Sequence, residues 1–355
     1  MKHHSSINRG LEHGYPQYQL VGDHDYDALQ PLAQACGQRD QNNALLRRLS
    51  QKAKIKPFDG GQAIVQEIEY SENGTYKRYS GYDVLNIAPS EVFTVAQYPI
   101  AQAAVAVSIS GLEMLQNSGK EKMIDLLELR IGNAERTMQN NLSSDCYSTG
   151  TADGGKQIGG LQLLVADVAN AGTVGGIDSA VWGFWQNTVQ SFAAAGLTPG
   201  TATIQTIMNR AWLAQSRQAS KPDLILADNT YFRYYWESLQ AIQRITEDRS
   251  GMAGFASLKF MDADVVYDGG FQGNSAGNVS VLGSGGSWLS GPGAPASHMY
   301  LLNTDYIFLR PHKDRDMTPL DPDRFSVNQD AMVKLIAWAG NMTMSNRFLQ
   351  SVITA

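Results

Sequence analysis

The feature that most constrains the fold is a long amphipathic segment in the first half of the chain, "KEKMIDLLELRIGNAERTMQNNL". Apolar residues recur there at intervals of three and four, at Ile124, Leu127, Ile131, Ala134, Met138 and Leu142. This spacing places them on one face of an α-helix. We therefore predict a helix over Lys120–Leu142, opened by the polar turn Asn117-Ser118-Gly119. At 1.5 Å per residue it would be about 34 Å long, a single rod across a domain.

A polar stretch upstream, "GGQAIVQEIEYSENGTYKRYSGYD", predicts a β-hairpin. Ala63–Tyr70 and Tyr76–Tyr82 carry strand formers, and Asn73-Gly74 between them is the preferred pair for a tight turn because both residues tolerate positive φ. Each arm would reach roughly 25 Å. A two-stranded hairpin is marginal by itself in water. We therefore expect it to lie on the body of its own chain or on a neighbouring chain.

Helices and strands elsewhere mix without a strict alternation, which is typical of an α+β fold. The remaining predictions are a helix at Asn43–Ala53, a helix at Ile204–Gln218 capped by Thr203, a buried strand at Leu224–Ala227, a helix capped by Asn229 with Phe232, Tyr235, Leu239 and Ile242 on one face, strands within 255–310, a mobile or surface-held loop at 283–297, and tail strands at Phe325–Ala339 and Met342–Ile353.

The charge pattern excludes some partners. The net charge is −6 and no basic run stands out, which argues against a groove that grips nucleic acid. Arg47-Arg48 with Lys52 and Lys54 is the densest basic cluster, and we interpret it as a solvated helix face, with a charged partner as the alternative. Charged residues make up 17% of the chain, against roughly 25% in an average protein. A low charge suits a surface that other subunits cover.

Neither a leader nor a membrane segment is expected. The start "MKHHSSINRG" lacks an apolar signal core, and no window approaches eighteen uninterrupted apolar residues. Cys36 and Cys146 are far apart and have no metal-ligand spacing, so we expect two reduced thiols in a cytoplasmic setting.

The stretch Gly150–Lys156, "GTADGGK", has the spacing of a phosphate-binding P-loop. A P-loop follows a buried strand and continues with Ser or Thr into a helix. Here the segment follows the long predicted helix, Gln157 comes next, and Gly159-Gly160 would break any helix. We interpret the segment as a flexible connection.

Asp and His residues cluster in "RPHKDRDMTPLDPDR", at His312, Asp314, Asp316, Asp321 and Asp323. The cluster begins like a calcium loop, but Pro319 stands where that loop requires Gly. Basic residues alternate with the acidic ones, so we predict a charged surface loop. The alternatives are a nonspecific cation-binding site and a catalytic acid pair.

Two aromatic groups, "WGFW" at 182–185 and "YFRYYW" at 231–236, could stack on bases or sugars. The helical spacing of Phe232 and Tyr235 favours a core position, and we expect Trp182 and Trp185 to pack in an irregular subdomain. No nucleophile motif is present in the sequence, and His298 and His312 are interpreted as structural.

Several segments resemble one family. The chain is similar, from about residue 40 to its end, to the major capsid proteins of tailed bacteriophages with the Hong Kong ninety-seven-type fold. The resemblance rests on "ENGTYKRYSGYDVLNIAPSEVFT", "VSISGLEMLQNSGKEKMIDLLE", "QIGGLQLLVAD", "GTVGGIDSAVWGFW" and "KPDLILADNTYFRYYWESLQAIQRIT". Residues 1–40 and 270–297 are not distinctive.

The resemblance implies a division of the chain. The parts are an N-terminal arm (1–54), an extended β-hairpin loop (55–95), a peripheral domain with a long spine helix (96–175), an α/β axial domain (176–250), and returning strands of the peripheral and axial domains (251–355). It also implies that the hairpin loop lies over a neighbouring subunit. The expected interface residues are Tyr70, Asn73, Gly74, Tyr76, Arg78 and Tyr79.

The implied function is structural, without catalytic residues, cofactor or metal. Copies of the chain would assemble as pentamers and hexamers into the icosahedral head shell of a virion, formed in the host bacterial cytoplasm. The shell would enclose double-stranded DNA without sequence-specific binding and would involve no membrane. About 40 residues precede the fold, too few for a built-in scaffolding domain, so a separate scaffolding protein and a portal are expected partners. The alternatives are an encapsulin-like compartment and an acidic hydrolase that uses Asp314–Asp323.

Overall fold

The computed structural model describes residues 43–116, 120–217, 219–240, 257–268, 294–325 and 330–355. The helices are α1 (Ala44–Gln51), α2 (Gly111–Gln116), α3 (Lys120–Asp145), α4 (Ala152–Gly155), α5 (Leu161–Leu164), α6 (Ile204–Gln215) and α7 (Asn229–Gln240), with short 3-10 helices at Gly183–Trp185 and Thr304–Tyr306. The strands are β1 (Ile64–Glu69), β2 (Phe93–Tyr98), β3 (Ala101–Ser110), β4 (Thr173–Val174), β5 (Ile177–Asp178), β6 (Thr188–Ser191), β7 (Leu224–Ala227), β8 (Ser257–Phe260), β9 (Ala263–Tyr267), β10 (Met299–Leu302), β11 (Ile307–Pro311), β12 (Thr318–Phe325), β13 (Ala331–Met344) and β14 (Ser351–Thr354). Predictions for residues 1–42, with Cys36, for Ile242 and for 283–293 lie outside the described residues.

A four-stranded antiparallel sheet is organised around β13. β3 pairs with Ala331–Gly340 along one edge of β13, while β12 and β11 pair one after the other along the opposite edge. α3 packs against β3 and buries Ile131, Ala134, Met138 and Leu142. The predicted helix is therefore confirmed, and it continues to Asp145.

A six-stranded mixed sheet has the strand order β6-β14-β10-β7-β9-β8. Alternate residues of its strands point to opposite faces, so β7 contributes Ile225 and Ala227 to a core with α6 and α7, and Leu224 and Leu226 to the larger core that includes α3. The sheet thus lies between two hydrophobic cores. The predicted strand Leu224–Ala227 is confirmed.

α1 is capped by Asn43. The Asn43 side chain accepts a hydrogen bond from the Leu46 N–H at 3.1 Å, and the leucines of the helix are fully buried. The basic cluster on this helix differs from the prediction of a solvated face. Arg48 pairs with Asp223 at 2.8 Å, and Lys52 pairs with both Asp223 and Asp305. The basic cluster on α1 therefore pairs with acidic residues of its own chain.

The hairpin pairing is the main correction. β1 pairs antiparallel with β2, from Ile64 opposite Tyr98 to Glu69 opposite Phe93, and not with Tyr76–Tyr82. Asn73-Gly74 consequently lies inside a 23-residue connection and is not the tight turn of a hairpin. Packing explains the choice, because β2 buries Ala96 and Tyr98 beside Ile64 and Ile68 of β1.

Two predicted helix caps are also wrong. Thr203 has helical φ and ψ and its side chain caps no N–H group; its hydroxyl instead donates to the Thr198 carbonyl at 2.6 Å. For α7 the cap is Asp228, whose Oδ1 accepts from the Tyr231 N–H at 2.9 Å, so Asn229 is already the first helical residue. Asp228 is positioned for this because it follows β7 directly and is buried.

The tail strands differ in their limits. β13 runs through the predicted break near Gly340 and ends at Met344, and β14 begins only at Ser351. The break therefore falls at residues 345–350. The acidic stretch is likewise not one loop, since Thr318–Phe325 is β12 and only residues 312–317 connect it to β11.

Candidate subunit-interface surface

The structure brings the six predicted interface residues onto one segment. We call residues 70–92, between β1 and β2, the connecting segment. Tyr70 is half-buried at its start, while the other five predicted residues are exposed: Asn73, Gly74, Tyr76, Arg78 and Tyr79. The segment contains no helix or strand, so its backbone is held by turns and side chains.

The base of the connecting segment is anchored on the body of the protein. The Tyr70 N–H donates to the Val92 carbonyl at 3.0 Å and closes the two ends. The Tyr70 ring packs against Phe184, with ring centroids 5.2 Å apart. Phe184 in turn contacts Trp182 and the buried Trp185. The aromatic group at 182–185 therefore packs as predicted at Trp185, whereas Trp182 is half exposed.

Arg347 supports the base of the connecting segment through a hydrogen bond to Trp185. Its side chain is fully buried, and its guanidinium donates to the Trp185 carbonyl at 2.9 Å. The other three bonds go to the Leu164 carbonyl, Ser179 Oγ and Asn187 Oδ1. All four acceptors are neutral. Burial lowers the pKa of Arg347 to about 10, which still leaves it protonated at neutral pH.

Asn73 organises the connecting segment near its start. Its Oδ1 accepts from the Thr75 N–H at 3.0 Å, from Thr75 Oγ1 at 2.8 Å and from Ser90 Oγ at 3.0 Å. The bond to Ser90 connects the outgoing part of the segment with its returning part. A second turn forms where the Ser80 N–H donates to Asp83 Oδ2, followed by Gly81 at φ +57°. Asn73 thus acts as an organiser of a long connection.

The connecting segment also exposes apolar side chains that sequence reasoning missed. Tyr82 and Ile87 are fully exposed and Val84 nearly so. The outer face of the β1–β2 hairpin adds Phe93 and Val95, which are also exposed. Exposed apolar patches are typical of surfaces that contact proteins, membranes or ligands. The available signal was the run of strand-forming residues "YDVLNI" in an otherwise polar stretch.

The acidic cluster is divided between a connection and a strand. Asp314 and Asp316 are on the connection between β11 and β12, and Asp321 and Asp323 fall within β12. The His312 ring packs edge-on against Phe58 at 5.0 Å, and its Nδ1 accepts from the Asp314 N–H. Within the described ranges, no group of three or more His, Cys, Asp or Glu residues could hold a metal ion.

Two further candidates for a chemical role are His298 and the P-loop-like stretch, and each makes contacts that are structural. His298 lies 3.1 Å from Asp167 and 2.7 Å from the Ala296 carbonyl. The P-loop-like stretch follows α3, not a strand, and takes up left-handed φ values at Asp153 and Gly154. No helix in the described part of the chain is long and apolar enough to cross a membrane.

Asp268 is a buried carboxyl that follows β9 directly. Burial raises its pKa from 3.8 to about 6, although it accepts hydrogen bonds from the Tyr147 hydroxyl and the Ala44 N–H. Burial and the neighbouring Asp268 in turn raise the pKa of Tyr147. The pair links α1, the region after α3 and the end of β9.

Comparison with known proteins supports a single fold type. No family model and no curated protein matches the chain. Among solved structures, a chain of the capsid asymmetric unit of cyanophage A-1(L) is 17% identical with a TM-score of 0.60, covering 84% of this chain and 89% of that one. A chain of Gordonia phage Cozz is 11% identical with a TM-score of 0.50, covering 85% of each. The SrpI encapsulin of Synechococcus elongatus is 9% identical with a TM-score of 0.46, covering 87% of this chain and 86% of that one. The likenesses to the two phage chains show that this chain has an α+β fold of the phage capsid-protein type.

Proposed function

We propose that this chain is a major capsid protein that self-assembles into the icosahedral head shell of a tailed bacteriophage with double-stranded DNA. The observation that carries the proposal is the exposed apolar surface of the connecting segment, at Tyr82, Val84 and Ile87, on a fold shared with a cyanophage capsid subunit. Leaving such side chains in water is unfavourable by roughly 25 cal/mol per Å² of apolar surface. A neighbouring subunit would remove that surface from water.

The proposed subdomains follow the two sheets. The four-stranded sheet with α3 as its spine would form the peripheral domain, and the six-stranded sheet with α6 and α7 would form the axial domain around the five- and six-fold axes. β10 and β14 come from the last hundred residues and lie in the six-stranded sheet, while β11 to β13 lie in the other. This arrangement supports the assignment of 251–355 as returning strands of both domains, with 1–54 as the arm and 55–95 as the extended loop.

The mechanism is association and involves no turnover. Each subunit would make many modest contacts, and closed symmetry multiplies their combined effect. A separate scaffolding protein and a portal would direct assembly in the host cytoplasm. The enclosed DNA would be held without sequence-specific contacts, which agrees with the net charge of −6.

Light scattering on a sizing column, with negative-stain electron microscopy of the same fractions, tests this function. We expect rings of five and six subunits or closed shells. A monodisperse monomer or dimer at every salt and protein concentration would contradict it. The nucleic-acid content of particles formed in cells separates the alternatives, because a phage head encloses DNA and an encapsulin-like compartment would enclose a cargo protein.

A further inference from the structure

One edge of β3 is unpaired in the part of the chain that the structure describes. β13 occupies the other edge, over Ala101–Ser110. In an antiparallel ladder, both backbone groups of a residue point to the same side, and the sides alternate along the strand. The Ser108 carbonyl accepts from Arg130 Nη1 at 2.7 Å, and the Ser110 N–H donates to Glu113 Oε2 at 3.1 Å. The backbone groups of the even-numbered residues therefore point away from β13.

An ion pair closes only one end of this edge. Arg130 makes two bonds to Glu113, at 2.6 and 3.0 Å, and these bonds lower the pKa of Glu113 to about 2. The pair satisfies the edge at residues 108–110. Farther along, Gln102, Ala104 and Ala106 are exposed, and their outward N–H and C=O groups make no hydrogen bond to any described residue. Proteins normally cover such a long edge, because it can pair with another strand.

A groove runs beside the open edge. It has a volume of about 640 Å³ and lies between β3 and α3. Its apolar lining comes from Val105, Val107, Leu129, Ala134 and Val333. Leu129 is exposed on α3. An extended segment could therefore bond to the edge and place alternate side chains in the groove, which is the geometry of strand addition.

The connecting segment has the features of a strand that could pair with this open edge. In Tyr82–Ile87 the apolar side chains are exposed, and few backbone groups are engaged: the Asp83 N–H bonds to Ser80, and Lys77 Nζ donates to the Val84 carbonyl. Aromatic and β-branched residues favour a strand. Six residues span about 20 Å, close to the length of the edge from Gln102 to Ala106, about 17 Å.

We propose that Tyr82–Ile87 of a second copy adds as a strand to the open edge of β3 at Gln102–Ala106. This inference rests on the proposed function, because it names the surface on which the connecting segment docks. A second copy is the occupant because the described part of the segment's own chain leaves its apolar side chains uncovered.

Proline at Ala106 tests the hydrogen bonds directly. The Ala106 N–H points to the open edge, so Ala106→Pro leaves the ladder with β13 intact and removes one donor from the edge. We expect Ala106→Pro to keep the native circular dichroism spectrum and to form no shells under conditions in which the native chain and Ala106→Ser assemble. Normal assembly of Ala106→Pro would overturn the inference and leave the proposed function standing. Failure of the native chain to assemble would overturn both.

A disulfide test remains informative if the proline variant does not fold. One copy carries Val84→Cys and the other carries Ala104→Cys, both with Cys36→Ser. Oxidation of the assembled mixture is expected to give a dimer that neither variant gives alone. Shells without this dimer would overturn the inference.

Discussion

Arg347→Met should destabilise the protein strongly, because Arg347 is a fully buried cation without a carboxylate partner among its four hydrogen bonds. Methionine is a flexible chain of similar reach, so it can fill much of the space that the arginine stem occupies. The main consequence is therefore the loss of the guanidinium. Four acceptors in the interior would be left without that donor, including the carbonyl of Trp185 under the base of the connecting segment.

The magnitude follows from these four bonds. A buried acceptor that loses its partner costs about 1 kcal/mol or more. Four of them amount to about 4 kcal/mol, and the relief from burying a charge offsets part of this. We therefore expect the free energy of unfolding to fall by about 3 kcal/mol.

Chemical denaturation followed by tryptophan fluorescence measures this change. The matched control is Arg210→Met, since Arg210 is exposed on α6, and its effect should stay within about 0.5 kcal/mol. A loss in Arg347→Met no larger than that in Arg210→Met would show that the guanidinium network does not hold the interior, and would refute the reasoning.

Three further predictions concern the connecting segment and the buried carboxyl. Deleting Ser71–Thr75 should leave a folded monomer and impair shells; normal assembly in light scattering would show that this part of the segment is dispensable. Tyr82→Ser combined with Ile87→Ser should change monomer stability by less than about 0.5 kcal/mol, since both side chains are fully exposed, but should raise the protein concentration needed for assembly. For Asp268, folding raises the pKa from 3.8 to about 6. Its contribution to stability is therefore fully present below the unfolded pKa and is lost as the pH rises through the folded pKa, a change of about 3 kcal/mol. Asp268→Asn should remove that dependence in denaturation curves recorded across this range, and parallel pH profiles for the two proteins would contradict the assignment.

The parts of the fold that could be predicted are those that local pattern decides. The helix at Lys120–Leu142 follows from the spacing of its own apolar residues. The partner of β1 could not be predicted in the same way. Asn73-Gly74 favours a nearby arm, but burial of Ala96 and Tyr98 favours β2, which is 23 residues farther along the chain. Tertiary packing outweighed turn preference.

The subunit interface stays a prediction, while the exposure of its candidate residues can be compared with the sequence. The six predicted residues all lie in the connecting segment, yet the most exposed apolar side chains, Tyr82 and Ile87, come after those six residues. The buried hydrogen-bond network of Arg347 could not be predicted from local sequence, because its acceptors lie 160 to 183 residues away in the sequence. Only the fold brings them together.

A cryo-electron microscopy reconstruction of particles assembled from the native chain tests the central claim most directly. The account predicts an icosahedral shell of five- and six-fold clusters in which a second copy covers the connecting segment. A chain that remains monomeric or dimeric under all assembly conditions, with Tyr82 and Ile87 still facing water, would contradict it.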